Sequence, residues 1–302
     1  MRETAQELTV IIPTLGRPLL RGCLESIAAN SVYPRLVIVV NQGESSPVHE
    51  MIDEFARQGL DIEHLVFPLK GIAAATNAGM KRVSTRFVAT THDDCRVAQD
   101  WIRSVDRTVR DIGQAILTGR VEPVGEGLVL TTVTSDERRV YTEPLIDGDV
   151  LFPPNLALPV EVFDAVGPYD EHPSLRLAGE DNEWAHRALR AGFPIVYDPR
   201  VVVAHLAWQE KAELRAMYRR YARGQGAFYA KHLLMGDFMI YRRALRDLVR
   251  APYLLMRGLL TRNPDLVAMG AGETLGLPVG MLAGIRGRRP FRRRRVRDRA
   301  VP

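Results

Sequence analysis

The stretch RFVATTHDDC, residues 86–95, is an apolar, partly β-branched run that stops in His92, Asp93 and Asp94. Its length and composition predict a buried strand. Strands that need only turn end in Gly, Asn or Pro. Two adjacent carboxylates and an imidazole at such a tip therefore call for a chemical reason. The same pattern repeats on the N-terminal side. LTVIIPTLGRP (8–18), RLVIVVNQGESS (35–46) and IEHLVFP (62–68) read as strands. LLRGCLESIAAN (19–30), VHEMIDEFARQG (48–59) and GIAAATNAGMKRV (71–83) read as the helices between them, and AQDWIRSVDRTVRDIG (98–113) as the helix that follows. Strands alternating with helices of about a dozen residues predict right-handed crossovers and a mainly parallel sheet. Ligands of such sheets sit outside the carboxyl ends of the strands. That rule gathers Pro13 and Thr14, Asn41 and Gln42, and His92, Asp93 and Asp94 on one rim.

Beyond about residue 115 the segments shorten. AILTGRVEP (115–123), GLVLTTVTS (127–135) and RRVYTEP (138–144) predict a mixed or antiparallel extension. NLALPVEVFDAVGPYDEH (155–172) reads as strand, helix and turn. In GEDNEWAHRALRAG (179–192), Trp184, Ala188 and Leu189 share a helical face and Gly192 closes the helix. FPIVYDPRVVVAHLAW (193–208) delivers His205 at a strand end. The expected division is a catalytic α/β domain over 1–210, a helical extension over 211–285 and an Arg-rich tail over 286–302.

The chain has 302 residues, 46% of them hydrophobic and 25% charged, enough for a full core. No apolar leader opens the sequence, so no secretory signal is expected. Only Cys23 and Cys95 occur, which fits a reducing compartment rather than a disulfide framework. The net charge of +5 is unevenly placed: residues 286–299 hold nine Arg and one Asp, a local +8 that leaves −3 for the rest. A nucleic-acid binder needs basic or aromatic positions across its folded body, so nucleic acid is not an expected partner.

Two acid pairs invite both structural and chemical readings. Asp93 and Asp94 could cap the following helix, or could hold a divalent cation against a phosphate. Glu180 and Asp181 open a helix, where the dipole already favours acids. A His such as His205 on an apolar strand is more often structural than a ligand. The surrounding residues shift the balance. Gly167, Tyr169, Asp170 and Glu171, then Glu180 and Asp181, then Arg187, Ala191, Gly192 and His205 follow one another in an order that resembles the inverting nucleotide-sugar glycosyltransferases of family 2, with the GT-A fold. VIIPTLGRPLLRGCLESI and GIAAATNAGMKRVSTRFVATTHDD resemble the N-terminal half of that family. The likeness runs over about residues 8–208.

The resemblance implies a Rossmann-like GT-A sheet with a C-terminal helical extension. It implies transfer of a sugar from a nucleoside-diphosphate sugar to a saccharide or lipid-linked acceptor hydroxyl. Asp94 aligns with the metal-binding acid, and His205 is placed beside the metal, which would be Mn²⁺ or Mg²⁺. Pro13, Thr14, Asn41, Asn77, His92 and Asp93 fall at donor-binding positions. Asp181 matches the catalytic base, with Glu180 its close rival. His92 stands where many relatives carry Asp, and Asn41 likewise. Trp208 is a candidate for the acceptor side, Trp184 for the core. His49, His64 and Cys95 are read as structural.

The C-terminal third is basic and amphipathic over about 210–260, which fits helices on an anionic membrane face or helices packed on the catalytic domain. Residues 265–285 are apolar but hold five Gly, Pro278 and Glu273, so they predict an interfacial or re-entrant segment. With the Arg run this implies an anionic membrane surface as partner and a peripheral place on the cytoplasmic face of the cell membrane. Polysaccharide or glycolipid synthesis at the cell envelope is the expected setting. The alternatives are a sugar nucleotidyltransferase, for which PTLGRPLL is poor in Gly, or a protein that binds a nucleotide sugar without turnover.

Overall fold

Nine strands form one mixed sheet in the order β3-β2-β1-β4-β8-β6-β9-β5, with β7 pairing β9 at the side. The computed structural model describes residues 3–125, 132–144, 151–176, 178–207 and 213–286. The strands are β1 (Glu3–Thr14), β2 (Val32–Asn41), β3 (Ile62–Val66), β4 (Phe87–Thr90), β5 (Cys95–Val97), β6 (Ile116–Val124), β7 (Arg139–Tyr141), β8 (Leu156–Pro159) and β9 (Ile195–Leu206). The pairs β1–β2, β1–β4, β2–β3 and β6–β9 are parallel, whereas β8 runs antiparallel to both β4 and β6.

The continuous apolar runs follow from burial on both faces. On β1, Val10 and Ile12 join one core with Leu24, Phe55 and Trp101, while Ile11 joins the opposite core with Phe163 and Trp184. The first core is closed by α1 (Leu19–Ala28), α2 (Ser45–Arg57) and α4 (Trp101–Asp111). The second is closed by α3 (Ile72–Met80), α5 (Val160–Val166) and α6 (Glu180–Arg190). Trp184 is fully buried, stacks on Tyr169 at 5.4 Å and donates its indole N–H to the Gly167 carbonyl at 2.8 Å.

Several expectations need correction. The strand at 86–95 ends at Thr90; Cys95 begins a separate short strand antiparallel to β9, because the chain must turn at 91–94 to present its acids. Residues 127–131 of the expected strand at 127–135 lie outside the described residues, and Val133 makes only an isolated bridge to Val121. Trp208 and the Arg-rich residues 287–302 also lie outside them.

The last layer is helical: α7 (Leu214–Leu234), α8 (Phe238–Leu260) and α9 (Pro264–Ile285). Residues 265–285 do not re-enter. They belong to one uninterrupted helix that passes through Pro278 and packs along α7. The close approach explains the glycines: a Cβ on Gly280 would stand 2.0 Å from the Arg223 carbonyl oxygen. By length and composition α9 could cross a membrane, with a mean hydropathy of 1.4 over its best window, a third of which is buried.

Candidate active site

The site lies where the parallel strands end. Thr14 closes β1, Asn41 closes β2, the 91–94 turn follows β4, and His205 lies at the end of β9. A cavity of about 860 Å³ opens at this rim. Pro13, Thr14, His92, Asp93, Asp94, Glu180, Asp181 and His205 all line it, so segments far apart in sequence share one space.

Asp93 and Asp94 do not cap a helix: α4 begins after Asp100, beyond β5. Asp93 is buried and accepts from the Thr14 hydroxyl at 2.7 Å and from Arg17 Nε at 3.1 Å. Arg17 Nη2 contacts Asp93 as well and reaches Asp94 Oδ2 at 3.3 Å. Burial works against the Arg17 charge, but the two carboxylates outweigh it and raise its pKa. Asp94 turns its other oxygen, Oδ1, toward His205 Nε2 at 3.6 Å.

Asp94, Cys95 and His205 present ligand atoms within 4.8 Å of one another, close enough to hold a cation. Among the described residues the buried His205 Nδ1 has no hydrogen-bond partner. Burial pushes the Cys95 thiol well above its ordinary pKa, and it donates to Asp94 Oδ1 at 3.7 Å. A neutral thiol is a poor ligand. Asp94 and His205 thus offer a carboxylate and an imidazole, while Arg17 Nη2 lies against the other oxygen of Asp94. Burial holds the His92 imidazole below its ordinary pKa, against the pull of Asp94. A neutral His92 offers one donor and one acceptor to the cavity.

The second acid pair is set by a backbone turn. Gly179 lies in the left-handed region at φ 84° and starts α6, so Glu180 and Asp181 occupy its first turn facing the cavity. Glu180 is buried, and among the described residues its Oε2 has no partner. Desolvation, aided by the Asp181 charge, raises the Glu180 carboxyl well above the ordinary range. Asp181 is partly exposed and accepts from the Asn182 backbone N–H at 2.8 Å. The two acids thus differ in burial, Glu180 being enclosed and Asp181 partly exposed.

Asn41 and Asn77 do not reach the cavity lining. The Asn41 amide donates to the Glu44 carbonyl at 2.9 Å, lies 3.2 Å from His64 Nε2 and accepts from Gly43 N–H at 2.9 Å. Asn77 donates to the Tyr169 carbonyl at 2.9 Å and to Glu171 at 2.8 Å, and accepts from Tyr169 N–H at 2.9 Å. It ties α3 to the 169–171 turn. Arg187 holds the residues just before that turn, donating to the carbonyls of Val166 at 2.6 Å and Pro168 at 2.8 Å.

The sequence reading missed the opposite wall. Arg220, Arg243, Arg246, Asp247, Arg250 and Glu273, from α7, α8 and α9, line the same cavity. A hydrogen-bonded chain joins this wall to α6: Asn182 donates to Gln225 at 3.0 Å, Gln225 to the Tyr229 hydroxyl at 2.8 Å, and Tyr229 to Asp247. Below it, burial would raise the Glu183 carboxyl, yet His232, Arg187 and Lys231 outweigh that effect and hold it far below the ordinary range. The available signal was YRRALRDLVR, whose Arg243, Arg246 and Arg250 recur at helical spacing.

Residues 9–149 match the glycosyl transferase family 2 model. A pre-mycofactocin glycosyltransferase of Mycobacterium tuberculosis is 28% identical over 212 residues, covering 66% of this chain and 43% of that protein. Glycosyltransferase GlyA of Streptococcus pneumoniae is 25% identical over 149 residues, covering 48% of this chain and 21% of that protein. The chain spans less than half the length of these curated relatives. Among solved structures, TarS 1-349 of S. aureus superposes with a TM-score of 0.56 at 12% identity, covering 88% of this chain and 90% of that one. The same protein in complex with UDP-GlcNAc gives 0.54 at 13% identity, again covering 88% and 90%. At such identity the likeness is one of fold.

Proposed function

We propose that this chain, which matches the glycosyl transferase family 2 model over residues 9–149 and shares its fold with TarS, moves a sugar from a nucleoside-diphosphate sugar to an acceptor hydroxyl with inversion at the anomeric carbon. The observation that carries this reading is the meeting of Thr14, Asp93, Asp94, Glu180, Asp181 and His205 around one cavity at the carboxyl rim of the sheet. Pro13, Thr14 and His92 line the donor half, and Arg17 fixes Asp93 and Asp94 in place. Asn41 and Asn77 act from behind, by shaping the loops around it.

Asp94 and His205 would hold the divalent cation. The Asp94 carboxylate, with the oxygens of a diphosphate, suits Mn²⁺ or Mg²⁺. Bound there, the ion would neutralise the charge that grows on the leaving diphosphate. Asp181 takes the proton from the acceptor hydroxyl as it attacks the anomeric carbon from the face opposite the diphosphate. Glu180, kept protonated by burial, serves as a hydrogen-bond donor beside it. No covalent sugar–enzyme bond is needed.

The exposed apolar side chains of α8, including Phe238, Val249, Tyr253 and Met256, together with the Arg-rich C-terminus, support a peripheral position on an anionic cytoplasmic membrane face. Envelope polysaccharide or glycolipid synthesis fits that position. The test is a panel of nucleotide sugars assayed with and without Mn²⁺. Hydrolysis or transfer of one donor, dependent on the ion, is expected. Failure to bind or turn over any nucleotide sugar would overturn the reading.

A further inference from the structure

The donor end of the cavity is acidic. Asp93, Asp94, Glu180 and Asp181 line it, and among the described lining residues from the sheet and α6, Arg17 is the only Lys or Arg. Even with Glu180 neutral, three carboxylates stand against one guanidinium. A diphosphate is itself an anion, so such a rim repels it unless cations meet it. Arg17 and the ion expected at Asp94 and His205 are those cations. They are not independent, because both act on one carboxylate.

Asp94 is the shared group. Arg17 Nη2 lies 3.3 Å from its Oδ2, and His205 Nε2 lies 3.6 Å from its Oδ1. A cation held by Asp94 and His205 therefore shares a carboxylate with a guanidinium. Asp94 is only 7% exposed, so solvent screens the two positive charges poorly. The hold of Arg17 on the acid pair is unequal. It meets Asp93 with two nitrogens, Nε at 3.1 Å and Nη2, but Asp94 with Nη2 alone. Asp93 also accepts from the Thr14 hydroxyl, which itself accepts from the Gly16 N–H at 3.0 Å. Gly16 takes φ 77°, the left-handed conformation this turn requires. Arg17 is thus anchored on Asp93, and its contact with Asp94 is the weaker one. Its side chain is 29% exposed and lines the cavity, within reach of an incoming phosphate oxygen.

Resting on the transferase reading above, we propose that Arg17 couples the two ligands of the donor site. It neutralises the acid pair before they bind, opposes a divalent ion that arrives alone, and turns from Asp94 to the diphosphate when ion and nucleotide arrive together. The diphosphate then lies between two positive charges that otherwise repel each other, so each ligand strengthens the other. Ion and nucleotide are taken up as a pair. If Arg17 did no more than fix the carboxylates, its loss would leave Asp94 less well placed and Mn²⁺ would bind more weakly. The sign of the change separates the two roles.

Binding of Mn²⁺ alone, followed by the electron paramagnetic resonance of the free ion, tests this in wild type, Arg17→Gln, Arg17→Met and Arg17→Lys. Melting curves identify the variants that fold, and Arg17→Met keeps the alkyl stem should Arg17→Gln not fold. The neutral variants should bind Mn²⁺ about tenfold more tightly than wild type, and Arg17→Lys, which keeps the charge, should stay close to it. Calorimetric titration of UDP, GDP, ADP and dTDP at saturating Mn²⁺ should show the reverse order. The nucleotide that wild type prefers should be weakened about tenfold in the neutral variants, through loss of a charge-assisted bond, and less in Arg17→Lys. Mn²⁺ binding that is weaker or unchanged in a folded neutral variant overturns the proposal, as does unchanged nucleotide binding. Failure of wild type to bind any of the four nucleotides would instead strike the transferase reading, while the Mn²⁺ arm would still decide whether Arg17 opposes the ion.

Discussion

Asp181→Asn keeps the size of the side chain and removes its ability to take a proton. Turnover of the donor found in the panel should fall by about 10²–10⁴-fold, the span general bases usually supply, with donor affinity unchanged. Near-normal turnover would transfer the base role elsewhere. Glu180 makes a second, thermodynamic prediction. Its folded pKa is raised, chiefly by burial, above the unfolded value, so the folded state holds the proton more firmly. Its contribution to stability is then full below the unfolded pKa and is lost as pH rises through the folded one. Glu180→Gln should therefore gain melting temperature over wild type at pH 8 and gain none at pH 4; the opposite order would show that Glu180 is ionised in the fold. That Thr14, Asp93, Asp94, Asp181 and His205 share a rim was legible, because each ends a strand or opens a helix on the same side of a parallel sheet. Asn41 and Asn77 were not separable in this way. A buried amide can face a ligand or a loop carbonyl, and one-dimensional spacing does not distinguish them. The four cavity arginines were invisible for a related reason, since basic helical periodicity describes a solvated face and a cavity wall equally well.

At the scale of elements, the parallel half of the sheet could be read directly from apolar runs punctuated by helices. The insertion of β8 between β4 and β6 could not, because its four residues, Leu156–Pro159, carry no periodicity that reports a neighbour or a direction. The α9 segment carries a different lesson. Gly272, Gly276, Gly280 and Gly284 recur every fourth residue, the spacing of one helical face, and that face meets α7. Read as breakers, they suggested re-entry; read as a seam, they give a close helix pair. Gly280→Leu would force a side chain into the Arg223 backbone. It should destabilise the fold by about 1–3 kcal/mol or more, seen as a lower melting temperature, whereas Leu282→Ser, at a position 61% exposed, should change it little. Equal melting of both variants would mean that the seam does not hold the layer.

At the scale of the molecule, the sheet, α6 and the α7–α9 layer meet at the cavity, so the C-terminal helices form one of its walls. Deleting residues 287–302 leaves that wall intact and removes eight Arg. Binding to vesicles of phosphatidylcholine with phosphatidylglycerol should fall by about 1 kcal/mol for each basic residue near the surface, with little change on phosphatidylcholine alone; unchanged binding to the anionic vesicles would remove the tail from membrane attachment. The central claim is that one cavity grips a cation-bound diphosphate through Asp94 and His205 and leaves the Asp181 carboxylate for the incoming alcohol. Titration of the nucleoside diphosphate into wild type, Asp94→Ala and Asp181→Asn, each with Mn²⁺ and with a chelator, tests it most directly. Mn²⁺-dependent binding in wild type and Asp181→Asn, lost in Asp94→Ala, is the expected result; binding in Asp94→Ala as tight and as Mn²⁺-dependent as in wild type would contradict it.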